Sequence, residues 1–309
     1  MFTKLLVPLD RSPLAEQAIG QAAAIARASK ADMDLVLVHQ PPPFDGFGDA
    51  PRNDRQWADE HEYLESIVGE LVSGSSVRVT HALLRGEAVD MICRRAWDTG
   101  ADLIVMTSHG RTGLSRGWFG SIADGVLRHS TIPVLMLRPA EGKTRRSAAH
   151  HLFKHLLILL DGSGFSADIL PTAAALAKCS GARITMLRVV PPVPLAMTDP
   201  ALPFEYPPLV RDEEATNGLV ADATKQLADV ARGLRDEGIG AIDAQVLVEG
   251  HVARAIVEFA RTHDIDAIAM STHGRGASRL LLGSVADKVL RAADRTIVLV
   301  RAGNKTAGV

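Results

Sequence analysis

At 309 residues the chain is long enough for about two domains of ordinary size. Its 47% hydrophobic content and formal net charge of −2 give no electrostatic basis for a nucleic acid or an anionic membrane as partner. Two cysteines are too few for a disulfide scaffold, and no stretch reaches the apolar length of a membrane span. The apolar run Leu5-Leu6-Val7 is cut short by Pro8 and Asp10, too early for a signal peptide, so a cytoplasmic location is the expectation.

In chain order, residues 4–9 (KLLVPL) read as a strand apolar on both faces, the kind that suits a parallel sheet covered by helices. Ser12-Pro13 then marks a helix start, with a capping serine and a proline where a missing N–H costs nothing. That helix runs to about Ser29, with Leu14, Ala18, Ala22 and Ile25 on one face. A second strand is expected over 33–39, and a helix from about Asp54 to Val72 with Trp57, Leu64, Val68 and Leu71 as its apolar stripe. A third strand follows at Val77 to Leu84, and a helix from Glu87 to Thr99 that Gly100 stops. Leu103 to Met106 is a short buried strand. It feeds a loop with Gly110, Gly113, Gly117 and Gly120, and Ser121 opens the next helix. Ile132 to Leu137 is the last strand of this half.

The second half repeats this order. Strands are expected at His155 to Leu160, Arg183 to Val190, Ala244 to Val248, Ala267 to Met270 and Thr296 to Val300. Helices lie between them, the first with its start displaced or kinked by Pro171. GSIADGVLR near residue 120 returns as GSVADKVLR near residue 283. The expected organisation is a first domain over 1–140, a linker over 141–153 and a second domain over 154–303. His150, His151 and His155 at the end of the linker lack Cys or carboxylate companions at ligand spacing, so no metal site is expected. Alternating strands and helices imply an α/β fold: a doubly wound parallel sheet in each half.

Strand, glycine-rich loop and helix N-terminus form an arrangement that receives phosphate, because glycines admit close approach and the first helical N–H groups lack partners. Ligands of such sheets bind beyond the C-terminal strand ends. Asp10 and the Gly110 loop share that edge, as do Asp161 and the Gly274 loop. Asp10 and Asp161 are either turn formers and caps or acceptors for a ribose hydroxyl or base-side group. Ser121 with Asp124, and Ser284 with Asp287, match an S-x-x-D capping pattern. His109 and His273 read as loop-ordering. Arg111, Arg116, Arg275 and Arg279 are either surface residues or partners for phosphate charge. Signatures of P-loop ATPases, dinucleotide-binding sheets and serine hydrolases are missing.

At LVPLD (6–10), LILLDGS (157–163), GADLIVMTSHGRTGLSRGWFGS (100–121) and IDAIAMSTHGRGASRLLLGS (265–284) the sequence resembles the universal stress protein family, in tandem form. The resemblance covers nearly the whole chain. It implies a five-stranded flavodoxin-like sheet of order 3-2-1-4-5 in each half. It also implies adenine-nucleotide (ATP) binding through a Gly-x2-Gly-x9-Gly-Ser/Thr loop, with Mg²⁺ as the ion that would accompany ATP. On this basis Pro8, Leu9 and Asp10 would flank adenosine, and Met106 would line the pocket. Gly110, Gly113, Gly120, Ser121 and the N–H groups of Ile122 and Ala123 would hold phosphate. Leu160, Asp161, Met270, Gly274, Gly283, Ser284, Val285 and Ala286 are the second-half matches. Thr107 and Ser271 replace the pattern's first glycine, and the spacer from Gly274 to Gly283 is one residue short. At the end of strand two the resemblance sets Gln40 against Val189. The expected function is a nucleotide-binding or sensing module with at most weak ATP hydrolysis. The rivals are a slow ATPase or nucleotide-transforming enzyme, and a nucleotide-free scaffold. The last strands of the two halves are expected to meet within one chain, leaving a further homodimer open.

Overall fold

The computed structural model describes residues 1–40, 49–74, 76–108, 120–138, 152–195, 211–272 and 282–303. The first half runs β1 (Lys4–Leu9), α1 (Pro13–Ser29), β2 (Asp32–His39), α2 (Asp49–Gly74), β3 (Val79–Arg85), α3 (Ala88–Asp98), β4 (Leu103–Thr107), α4 (Ser121–His129) and β5 (Val134–Leu137). The second runs β6 (His155–Leu159), a 3₁₀ turn (Ser166–Ile169), α5 (Leu170–Ser180), β7 (Arg183–Val190), α6 (Glu213–Asp236), β8 (Ile242–Val248), α7 (Val252–Thr262), β9 (Ala267–Ser271), α8 (Ser284–Ala292) and β10 (Thr296–Val300).

The ten strands form one sheet in the order β3-β2-β1-β4-β5-β10-β9-β6-β7-β8. Each half is parallel and ordered 3-2-1-4-5, and β5 joins β10 antiparallel. The register at that seam is informative. Val134 pairs with Ile104 in one half as Ile297 pairs with Ile268 in the other. Leu135 and Val298 are therefore equivalent residues, and they face each other across the seam. A pseudo-twofold axis passes between them. Asp124–Arg128 and Asp287–Arg291 flank the same axis, close enough for each arginine to feel the other pair's carboxylate.

Alternation within the strands divides the core into two layers. Leu5, Val7 and Leu9 bury against α1, with Leu64 and Ile67 of α2 in the same layer, and α1 also packs on α5. Leu6 buries on the other face, in the layer that holds Ile92 of α3, Val126 of α4, Phe259 of α7 and Val289 of α8. Matching carboxylates pin the strand starts: Asp102 accepts from Thr3 N–H at 2.7 Å, and Asp266 from Lys154 N–H at 2.7 Å and His155 N–H at 2.9 Å.

The start of α1 follows the sequence: Ser12 Oγ accepts from Ala15 N–H at 3.1 Å and Pro13 leads the helix. Such a cap contributes about 1 kcal/mol. In the second half a 3₁₀ turn intervenes before α5, whose first turn holds Pro171. Helix α2 begins at Asp49, earlier than the expected Asp54. Pro51 does not prevent this, because it falls in the first turn, where no intrahelical N–H bond is lost. His155, counted with the linker histidines, is instead a buried residue of β6, its Nε2 2.8 Å from Thr185 Oγ1. Burial holds its pKa below the usual histidine value. His150 and His151 lie outside the described residues.

Candidate functional site

The C-terminal ends of β1 and β4 build a crevice in the first half. On the β1 side, Asp10 accepts from Ser12 N–H through Oδ1 at 2.9 Å, closing a turn in which Arg11 takes φ +67°. On the β4 side, Gly120 N–H donates to the Ser108 carbonyl at 3.0 Å and ties the start of α4 to the strand end. Gly120 is the N-cap, extended at φ −60°, and offers no side chain to the helix. The N–H groups of Ser121, Ile122 and Ala123 therefore have no intrahelical partner. A Cβ at Gly120 would make only an ordinary 3.5 Å contact with Ser108 O, so packing does not demand glycine there. What the missing side chain does is keep the helix end open.

Between these two sides lies a cavity of about 250 Å³. Pro8, Leu9, Asp10, Gln40, Met106, Gly120, Ser121, Ile122 and Ala123 all line it. Gly110 and Gly113, with the rest of the spacer, lie outside the described residues. The wall also includes Thr107, which replaces the motif's first glycine, and residues the sequence reading missed: Leu37, Val38, Ile92 and, above all, Gln56 and Glu60 of α2. Glu60 is 2% exposed. Its Oε2 lies 2.6 Å from His39 Nδ1, and its Oε1 accepts from Gln56 at 2.8 Å. His39 Nε2 lies 2.7 Å from Asn53 Oδ1. The signal was present in the sequence: Glu60 falls on the apolar stripe between Trp57 and Leu64, where a carboxylate needs an internal partner. The cavity is thus bipolar. The positive end of the α4 dipole and acceptors from α2 both line it, together with apolar walls.

The second half repeats the backbone of this arrangement with different side chains. Gly283 caps α8 without a side-chain bond and donates to Thr272 O at 2.8 Å. Asp161 Oδ1 accepts from Ser163 N–H at 2.8 Å and from its hydroxyl at 2.6 Å. Leu160, Met270 and Ala286 are buried, Val189 and Gly283 half-buried, and Ser284 and Val285 exposed; Gly274 lies outside the described residues. Register corrects the pairing of Gln40 with Val189. Pro8 pairs with Val36 as its equivalent Leu159 pairs with Leu187, so Val189 matches Val38 and Gln40 matches Pro191. The same register places Arg188 where the first half has Leu37. Arg188 is 8% exposed, and its guanidinium donates to Gln226 on α6. A Cβ on Gly162 would lie 2.5 Å from Arg188 Nη1. An arginine therefore stands in the second half at the position of a cavity-wall residue of the first.

A model of the universal stress protein family matches residues 1–138 and again 152–301. The chain belongs to the universal stress protein family. A universal stress protein of Mycobacterium tuberculosis H37Rv is 25% identical over 307 residues, covering 96% of each chain. One from Thermus aquaticus is 32% identical over 151 residues, 48% of this chain and all of that one. Among solved structures, a universal stress protein from Archaeoglobus fulgidus superposes with a TM-score of 0.70 at 17% identity, covering 96% of this chain and 98% of that chain. The likeness extends to the fold, and the match to the mycobacterial relative runs through both halves of this chain.

Other features of this universal stress protein bear on its chemistry. The S-x-x-D capping expectation fails in both halves. Ser121 and Ser284 are the first helical residues, with glycine as cap. Asp124 instead pairs with Arg128 at 2.7 Å and Asp287 with Arg291 at 2.9 Å, because an arginine one turn along the helix satisfies the carboxylate at once. Cys93 and Cys179 are free and half-buried. Burial, with Asp90 and Glu87 adding to it, pushes the Cys93 thiol up to about 11, and burial raises Cys179 as well, so neither is an activated thiolate. Among the described residues no helix is long and apolar enough to cross a membrane.

Proposed function

We propose that this universal stress protein binds an adenine nucleotide, ATP by preference, in the first-half crevice and acts as a binding or sensing module without fast turnover. The observation that carries this reading is the bipolar cavity. An anionic group fits the uncapped N-terminus of α4. A flat base fits between Val38, Ile92 and Met106, and an exocyclic amine or ribose hydroxyl has Asp10, Glu60 and the Gln56 amide as partners. Two features weigh against the enzyme reading. Asp124, the carboxylate nearest the helix start, is tied to Arg128. The P-loop signature is also missing from the sequence. A cytoplasmic role accords with the two free cysteines.

The test is to denature the purified full chain and analyse the supernatant by mass spectrometry, then titrate ligand-free protein with ATP by calorimetry. Co-purifying adenine nucleotide, or saturable ATP binding, supports the reading. No nucleotide and no binding at millimolar ATP would favour the scaffold.

A further inference from the structure

Away from the crevice, α2 and the edge strand β3 bring three metal-ligating side chains together. His61 and Glu65 are four residues apart on α2 and share a face, with His61 Nε2 3.3 Å from Glu65 Oε1. His81 projects from β3, which closes one margin of the sheet, and its ring centroid lies 5.8 Å from that of His61. One ligating atom from each of the three residues lies within 4.8 Å of the other two.

We propose that His61, Glu65 and His81 bind a divalent first-row transition-metal ion of the zinc class. Metal–ligand bonds of about 2.0–2.2 Å in tetrahedral geometry set ligand atoms roughly 3.3–3.5 Å apart. The His61–Glu65 pair already has that spacing, and His61 and Glu65 are exposed enough (side chains 52% and 62%) to close on His81 by rotamer adjustment. Two imidazoles and one carboxylate select zinc, copper or nickel over calcium and magnesium, which prefer all-oxygen shells. A plain i,i+4 pair accounts for His61 and Glu65 but gives no role to His81, a half-buried imidazole turned toward them. Three protein ligands leave coordination positions open. The groove alongside, lined by Trp57, Ala58 and Leu83 with both histidines, gives an exchangeable ligand room. A bound ion would clip α2 to the sheet margin. The sequence alone hides the site because its third ligand comes from another element.

The experiment uses the untagged full chain, stripped with chelator and titrated with zinc chloride by calorimetry, with cobalt(II) absorption as a second readout. Wild type is compared with His81→Ala, Glu65→Gln and the His61→Ala/His81→Ala double variant, with His251→Ala as control and circular dichroism to verify folding. The expected result is one zinc per chain at micromolar affinity, weakened at least ~10-fold in each site variant, unchanged in the control and indifferent to excess magnesium. Glu65→Gln keeps the test decisive if a histidine variant misfolds, because Glu65 is exposed. Identical zinc isotherms in wild type and Glu65→Gln, or neither heat nor a cobalt band at millimolar metal, overturns the proposal.

Discussion

The two crevices share a backbone and differ in what stands over the turn after the first strand. In the first half Arg11 takes the left-handed conformation, Leu37 lines the cavity, and Tyr63 lies with its ring 6.0 Å from the Arg11 guanidinium. In the second half Gly162 takes that conformation, Arg188 holds the Leu37 position, and Gln226 receives its hydrogen bond. Tyr63 and Gln226 each precede a buried leucine of their helix, Leu64 and Leu227. The arginine has in effect moved from the turn after the first strand to the second strand, and glycine stands in the turn where no Cβ fits. Beneath the first crevice lies the buried His39–Glu60 pair, whereas Val190 occupies the His39 position in the second. A repeated motif thus fixes the path of the chain, while a few substitutions decide which side chains stand over it.

The largest effect expected from this comparison is on stability. Asp34 of β2 is fully buried, pairs with Arg95 at 2.8 Å and accepts from Thr80 Oγ1 at 2.8 Å, whereas its equivalent Thr185 carries no charge and bonds to His155. Arg95→Met leaves a buried carboxylate without its charge partner and is expected to cost about 3 kcal/mol. Thr185→Val should cost about 1 kcal/mol. Urea melts of the two variants check the ranking, and equal midpoints would break it.

Next comes nucleotide affinity. Gly120→Val puts methyl groups over the N–H cluster of α4. If two charge-assisted hydrogen bonds are lost at roughly 1.5–3 kcal/mol each, affinity falls by about 100-fold or more. Gly283→Val is expected to change total binding less than about threefold, roughly half of the ~1.4 kcal/mol that a tenfold change represents. Calorimetry on both variants decides. Loss of the tighter site in Gly283→Val would reverse the ranking of the halves.

A smaller asymmetry is expected at the turns. Gly162→Ala combines φ +81° with a Cβ 2.5 Å from Arg188 Nη1, and should cost about 2 kcal/mol. Arg11→Gly relieves the same backbone strain but gives up unfolded-state restriction and the Tyr63 contact. The net change is expected within about 0.5 kcal/mol, because each of these opposing contributions is of order 1 kcal/mol or less. Thermal melts that shift equally would show the two turns to be interchangeable.

The smallest expected effect is none. Phosphate release from ATP should not exceed on the order of one per minute, far below the enzyme median of about 10 s⁻¹. Asp124→Ala should leave it unchanged, since Arg128 already engages that carboxylate. Several turnovers per second that vanish in Asp124→Ala would promote the enzyme reading.

Local chemistry made much of this molecule legible from its sequence. Doubly apolar strands, Ser12-Pro13 and the repeated Gly-Ser helix starts act through covalent neighbours, so period and spacing reveal them. The first-half wall was readable for the same reason, since most of those residues sit at strand ends or the helix start, where the motif places them. Tertiary packing alone decided the rest. Only strand register showed that Val189 matches Val38 and that Arg188 stands at the position of Leu37. Glu60 meets His39, and His81 meets His61 and Glu65, because α2 lies on the sheet at one particular angle. Contacts between elements depend on how helices and strands pack, and no short window of sequence records that.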